Sequence, residues 1–170
     1  MSKTIQIEVP ADKNVEWQEI DGKTVLVMVD EKDNRPVTER IKTFEDACNE
    51  LGEDHPFVLA YRNTNLRDPE VAEENRDILA YMKLRIITEA LNEGWHPKFD
   101  KDEYHYYPSF YRGCLSADLG DDVLPYAGAN GEASFSHASI GSRLVFPNKD
   151  LAEYAGKQFL DIWADFVSLK

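Results

Sequence analysis

The chain has 170 residues, of which 32 are acidic and 19 are basic, so its formal net charge is −13. A surface this negative repels phosphate backbones and anionic headgroups, which argues against direct binding to nucleic acid or to membranes. Hydrophobic residues make up 42% of the chain, enough to build a core and to exclude wholesale disorder. We predict one domain over residues 1–170 that needs neither a disulfide nor a metal to fold.

The amino terminus and the cysteines predict a cytoplasmic protein. Residues 1–10 alternate polar and apolar side chains and contain no apolar signal core. No stretch of the sequence reaches the apolar length that a bilayer requires. The two cysteines, Cys48 and Cys114, do not suggest a disulfide framework, so reduced thiols are expected.

Residues 1–29 predict an antiparallel β-meander. Apolar and polar residues alternate over residues 5–9, which is the period of a half-buried strand. Two further strands are predicted over residues 15–20 and 24–29. The dipeptide Asp21-Gly22 between them is a strong hairpin signal, because both positions tolerate the positive φ angles of a type I′ turn.

Residues 38–94 predict a helical region. Thr43 followed by Asp46 resembles a capping arrangement at the start of one helix, and Gly52 is well placed to end it. Pro56 suits the first turn of a second, short helix.

Two longer helices follow from apolar residues at helical spacing. The first is predicted over residues 69–93, with Asp68 as its cap and Gly94 as its end. The second is a C-terminal helix over residues 148–168, which Asn148 is able to cap.

Residues 95–147 predict an aromatic segment, a long loop and one strand. Residues 113–140 are rich in Gly, Ala and Ser, which indicates a long loop or a set of short strands. Residues 143–146 predict a short buried strand. The whole pattern predicts an α+β fold: an amino-terminal antiparallel meander, three to four packed helices and a long Gly/Ala/Ser-rich loop.

The sequence contains no recognisable catalytic motif. His137 lies among serines without a G-x-S-x-G elbow, and Cys114 lacks the signature of a thiol–imidazole pair. The histidines and carboxylates between residues 96 and 105 match no metal-ligand spacing, and neither a Walker motif nor a dinucleotide fingerprint is present. We therefore expect a protein that is not an enzyme and has no catalytic residue, metal or cofactor.

The aromatic segment is the most suggestive feature for binding. Its rings could form an exposed recognition surface, and with nearby arginines they could stack on a nucleobase. The alternative is that many of them pack the core beneath the long loop. The candidate binding residues are Trp95, Tyr106, Tyr107, Tyr111, Arg112, His137 and Arg143.

Several segments together resemble a known family. They are Arg40–Cys48, Leu91–Trp95, Tyr106–Pro108, Gly141–Phe146 and Leu151–Phe159. In combination they resemble a family of uncharacterised small proteins that is common in gut Bacteroidetes and in their phages and prophages. The resemblance implies a mobile-element context. It implies no activity, because the family has none assigned.

Three functions follow as hypotheses. The first is a phage-associated accessory protein that engages a host or phage protein, where the negative charge favours a partner with a basic surface. The second is a protein that sequesters a small anionic ligand such as a nucleotide signal, in an anti-defence role, which requires a local basic and aromatic pocket. The third is a virion or assembly component, with a homo-oligomer as one form. The expected location is the host cytoplasm, or the virion for the third hypothesis.

Overall fold

The computed structural model of this chain describes residues 6–11, 13–30, 33–98, 103–110, 126–133 and 143–167. It contains helices and antiparallel strands in two small sheets, which confirms the predicted α+β class. The chain divides into two compact units, Met1–Arg35 and Pro36–Lys170, which we describe separately. The prediction of one domain over residues 1–170 stays a prediction.

Strands and helices alternate in blocks along the described residues. The elements are β1 (Lys13–Ile20), β2 (Lys23–Asp30), α1 (Val37–Arg40), α2 (Phe44–Leu51), α3 (Pro56–Asn63), a 3₁₀ turn (Asn65–Arg67), α4 (Arg76–Leu91), β3 (Tyr104–Phe110), β4 (Tyr126–Ala133), α5 (Lys149–Gln158) and α6 (Leu160–Val167).

The first unit is a hairpin of β1 and β2. Asp21 and Gly22 have φ angles of 52° and 71°, as the type I′ prediction requires. Two of the three predicted strands are thereby confirmed. The first was wrong in its described part, because residues 6–10 belong to no strand among the described residues. An alternation of apolar and polar residues does not make a strand by itself, because a strand also needs a neighbouring strand that completes its backbone hydrogen bonds.

One face of this hairpin is apolar and exposed. Val15 lies opposite Met28, and Trp17 lies opposite Leu26, so these side chains share a face of the two-stranded sheet. Trp17 is 71% exposed and Met28 is 52% exposed. An isolated hairpin is at best marginally stable in water, so little holds this unit together beyond its turn and its cross-strand pairs.

In the second unit, local capping signals fix α2 and α3. The Thr43 hydroxyl accepts from the Asp46 backbone N–H at 3.1 Å, and the Asp46 carboxylate accepts from the Thr43 N–H at 2.8 Å. Gly52 ends α2 with a φ of 89°, and Pro56 begins α3. The predicted capping arrangement and both helix positions are confirmed.

Helix α4 begins at Arg76, seven residues after its predicted start. The Asp68 carbonyl instead accepts from the N–H groups of Val71 and Ala72, which closes a single turn. The Asn75 side chain donates to the Val71 carbonyl at 2.7 Å, so it takes the acceptor that a continuing helix would have offered to the Asn75 backbone.

Helix α4 is the centre of the second unit. It packs against α2, α3 and α6, and its buried residues Leu84, Ile87 and Leu91 belong to the hydrophobic core. Helix α5 covers the sheet of β3 and β4. The cavity described below depends on this arrangement, because the second half of α4 forms one of its walls.

The predicted C-terminal helix is two helices. Asn148 caps α5 as predicted, with its Oδ1 accepting from the Leu151 N–H at 2.9 Å. The helix breaks at Phe159, whose φ of −115° and ψ of 36° leave the α-helical region. There the Ala155 carbonyl accepts both from the Phe159 N–H and from the Trp163 indole N–H at 3.2 Å.

The tyrosine-rich segment forms a strand. β3 pairs with β4 in antiparallel register, with Tyr106 opposite Gly131, and Tyr106 also exchanges two backbone hydrogen bonds with Phe146. Residues 126–133 of the predicted Gly/Ala/Ser-rich loop are therefore a strand, as one of the two interpretations of its composition proposed. The other residues of the range 113–140 lie outside the described part of the chain.

Within the described residues, no helix is both long enough and apolar enough to cross a membrane.

We expect Thr43→Ala to lower the free energy of unfolding by about 1 kcal/mol, because the variant loses the side-chain acceptor at the start of α2. Chemical denaturation would measure the change. Thr43→Ser is the matched control, because it keeps the hydroxyl group. Equal stability of the alanine and serine variants would contradict the capping role.

We expect Gly131→Ala to cost about 1–2 kcal/mol of stability, because overpacking forces the half-buried Tyr106 ring to move. An added methyl group would lie 2.8 Å from Cε1 of Tyr106. The same substitution in a Tyr106→Ala background is the control, since the clash is then absent. A full cost in that background would show that the ring is not its cause.

Candidate functional site

A cavity of about 260 Å³ lies in the second unit. Its walls come from the start of α3, the second half of α4, the turn after α4 and the segment around Arg143 and Val145. Side chains that are distant in sequence therefore meet here: His55 and Trp95 lie 40 positions apart, and Arg143 a further 48.

One face of α4 supplies the polar wall. Arg85, Thr88, Glu89 and Asn92 all line the cavity. Their spacing of three, four and seven residues places them on the same side of the helix. The core residues Ile87 and Leu91 lie between them in sequence and face the interior. Helix α4 thus has a core face and a cavity face.

Two buried polar atoms on this wall lack hydrogen-bond partners among the described residues. They are Oγ1 of Thr88 and Oδ1 of Asn92. Thr88 is only 4% exposed. The orientation of the Asn92 amide is fixed, because its Nδ2 donates to the Val145 carbonyl at 2.9 Å and a carbonyl only accepts. Both oxygens have almost no accessible surface, so the cavity does not expose them although other atoms of Thr88 and Asn92 line it.

Two arginines line the same cavity without a carboxylate partner in the described part of the chain. The Arg85 guanidinium stacks on the Phe57 ring, with its carbon 4.2 Å from the ring centre, and Arg143 is exposed at the mouth. Elsewhere in this unit, Arg40, Arg62 and Arg76 pair with acidic residues, whereas Arg67 stacks on the Tyr61 ring and donates to the Arg62 carbonyl. Arg62 contacts Glu45 and Glu53, for example. The cavity arginines thus differ from a typical arginine of this acidic protein.

Two histidines complete the polar lining. His55 caps α3, and its Nδ1 accepts from the Phe57 N–H at 3.3 Å, so a neutral ring carries its proton on Nε2. His96 lies with its Nε2 3.8 Å from Oε1 of Glu89. Glu89 is the acidic residue of the lining, so the two arginines outnumber the carboxylates around the cavity.

A left-handed turn places Trp95 at the cavity. Glu93 and Gly94 have φ angles of 47° and 83°, so the chain reverses directly after α4. The Trp95 N–H then donates to the Asn92 carbonyl at 2.8 Å, and the half-buried indole packs against His105 at a ring distance of 5.9 Å. The indole thus has a fixed position beside the polar wall of α4.

The structure brings two of the predicted binding residues together. Trp95 and Arg143 both line the cavity. Tyr106 and Tyr107 are half-buried on β3 and are not part of the cavity, and Tyr106 packs against the hydrophobic core, as the core-packing alternative proposed. The remaining three candidates lie outside the described residues: Tyr111, Arg112 and His137.

Sequence reasoning missed most of the lining, including His55, Arg85, Thr88 and Asn92. A usable signal existed for three of them. Polar residues at positions 85, 88 and 92 interrupt the apolar pattern of α4 at helical spacing, which marks a second, polar face. His55 offered no comparable signal, because its place at the cavity depends on how α3 packs against α4.

The described residues give little support to covalent chemistry. Cys48 is fully buried, and burial raises the pKa of its thiol to about 11, so the thiolate is scarce at neutral pH. Cys114, the other thiol, lies outside the described part of the chain. Within the described ranges, no group of three or more His, Cys, Asp or Glu side chains could hold a metal ion.

No protein-family model, curated protein or solved structure matched this chain in the comparisons. The resemblance of its motifs to a phage-associated family therefore stays a prediction, and a functional proposal has to rest on the residues of the cavity.

Proposed function

We propose that this protein is a binding protein that captures a small anionic ligand in the cavity between α3 and α4. The observation that carries the proposal is the presence of Arg85 and Arg143 at one cavity without a carboxylate partner among the described residues. In a chain with a net charge of −13, nearby acidic side chains are abundant. Arginines that have no carboxylate partner among the described residues of such a protein are suited to an anion from solution.

The volume of the cavity and its aromatic residues also fit a small ligand. The volume of about 260 Å³ lies just below the range of about 300–1,000 Å³ that is usual for ligand pockets, and the cavity is open to solvent. Trp95 and Phe57 provide aromatic surface, while the Arg85 guanidinium is held in place by its contact with Phe57. A ligand with one ring and one anionic group matches these dimensions.

The protein-partner hypothesis and the phage context stay predictions. Their proposed contact surface was the tyrosine-rich segment together with the long loop, most of which lies outside the described residues. In the segment, Tyr106 packs against the core, and only Tyr104, 59% exposed, is a largely exposed tyrosine of β3. The cavity therefore favours the ligand-sequestering hypothesis over a partner that docks on β3, and the anti-defence version of that hypothesis stays a prediction. The virion hypothesis likewise stays a prediction.

Ribose 5-phosphate and inorganic phosphate are suitable probes for the anion site, with binding measured by isothermal titration calorimetry. We expect Arg85→Ala and Arg143→Ala each to weaken binding of ribose 5-phosphate by about 10- to 100-fold, the loss typical of a charge-assisted hydrogen bond. Circular dichroism would verify that both variants keep the fold.

Arg76→Ala is the matched control for this experiment. It removes one positive charge, as the other two variants do, but Arg76 pairs with Glu73 and Asp165 and is not part of the cavity. Its affinity for the probe should equal that of the wild type. An equal loss in all three variants, or no binding of either probe at millimolar concentration, would contradict the proposed function.

A further inference from the structure

We infer that the ligand is a phosphate monoester that also carries an ammonium group, such as an amino sugar phosphate, and that Glu89 binds the ammonium. This inference rests on the proposed anion site and specifies a second group of the ligand. Its basis is the accessible carboxylate of Glu89, which lines the same cavity as Arg85 and Arg143.

Glu89 is accessible, and no described residue donates a hydrogen bond to its carboxylate. The side chain is 26% exposed, and its oxygens are not enclosed as the oxygens of Thr88 and Asn92 on the same wall are. The basic group closest to it is the His96 ring, whose Nε2 lies 3.8 Å from Oε1 of Glu89, beyond hydrogen-bond distance. A ligand in the cavity can therefore reach this carboxylate and donate to it.

Arg85 lies one helical turn before Glu89 but does not pair with it. Opposite charges at this spacing often pair on a helix surface, because their Cβ atoms are about 5–6 Å apart. The Arg85 guanidinium instead stacks on the Phe57 ring, with its carbon 4.2 Å from the ring centre. The wall of α4 therefore presents a cation and an anion that are separate, and a ligand with both charges can pair with each of them.

The charges of the lining indicate which ions the ligand carries. Arg85 and Arg143 supply two positive charges, and Glu89 supplies one negative charge. A phosphate monoester has a charge of about −1.5 to −2 at pH 7, so it matches both arginines, whereas a single carboxylate matches one. An ammonium group matches Glu89. A sugar ring that joins the two groups would lie beside the half-buried Trp95 indole.

Glucosamine 6-phosphate and glucose 6-phosphate test the inference, because they differ only by an ammonium group in place of a hydroxyl group. We expect isothermal titration calorimetry on the wild-type protein at neutral pH to show at least tenfold tighter binding of glucosamine 6-phosphate. A gain of this size is typical of a charge-assisted hydrogen bond. Equal affinities, or tighter binding of glucose 6-phosphate, would overturn the inference.

Glu89→Gln should affect the two sugar phosphates differently. The amide keeps the size of the side chain and removes its charge, so glucosamine 6-phosphate should bind at least tenfold more weakly. Glucose 6-phosphate should bind equally well or more tightly, because a charge that repels its phosphate is gone. A similar loss for both sugars would mean that Glu89 only maintains the shape of the cavity, which contradicts the inference.

Glu74→Gln is the matched control. It also removes one negative charge, but Glu74 is exposed and does not line the cavity, so both affinities should equal those of the wild type. Circular dichroism would verify that both variants keep the fold. The comparison of the two sugars on the wild-type protein tests the inference even if Glu89→Gln does not fold.

The outcomes separate this inference from the proposed function. If the two hexose phosphates bind equally and Arg85→Ala still weakens ribose 5-phosphate, the ammonium inference fails and the anion site stands. The inference also fails if ribose 5-phosphate binds and neither hexose phosphate does. If none of the three sugar phosphates binds at millimolar concentration, both proposals fail.

Discussion

Helix α4 has to satisfy two demands with one set of side chains. Leu84, Ile87 and Leu91 bury apolar surface in the core, while Arg85, Thr88 and Asn92 form the wall of the cavity. The two sets interleave because a period of 3.6 residues sends neighbouring positions to different faces. Helices α2, α3 and α6 pack around α4. This packing also sets the positions of other cavity residues, because His55 lies at the start of α3 and Trp95 lies at the turn that ends α4.

Local chemistry made some parts of the fold predictable from the sequence. Asp21-Gly22, Thr43 with Asp46, and Asn148 each act within a few residues of themselves, so their turn and caps were predicted correctly. The errors in the helix boundaries arose where a side chain competes with the backbone. Asn75 takes a helical acceptor before α4, and the Trp163 indole shares one at the break between α5 and α6. Periodicity alone does not report such competition.

The site was predictable only in part, for a related reason. Trp95 and Arg143 were selected for their residue types, and both line the cavity. The tyrosines of β3 were selected on the same grounds, but Tyr106 lies over Gly131 and packs against the core, which depends on strand register rather than on composition. Thr88 is an ordinary helix residue in the sequence. Its burial without a partner becomes visible only when the neighbours of α4 are known.

The net charge of −13 and an anion site are compatible because they act over different distances. At physiological ionic strength, charges farther apart than about 8 Å are largely screened, so the acidic surface has little effect inside the cavity. The proposed anion would contact Arg85 directly, and the packing of Arg85 on Phe57 limits the water around the guanidinium, so salt would screen this attraction less. Added salt therefore reduces the long-range repulsion of an incoming anion before it reduces the attraction within the cavity. An acidic protein with two arginines at one cavity can thus retain an anion that the rest of its surface repels.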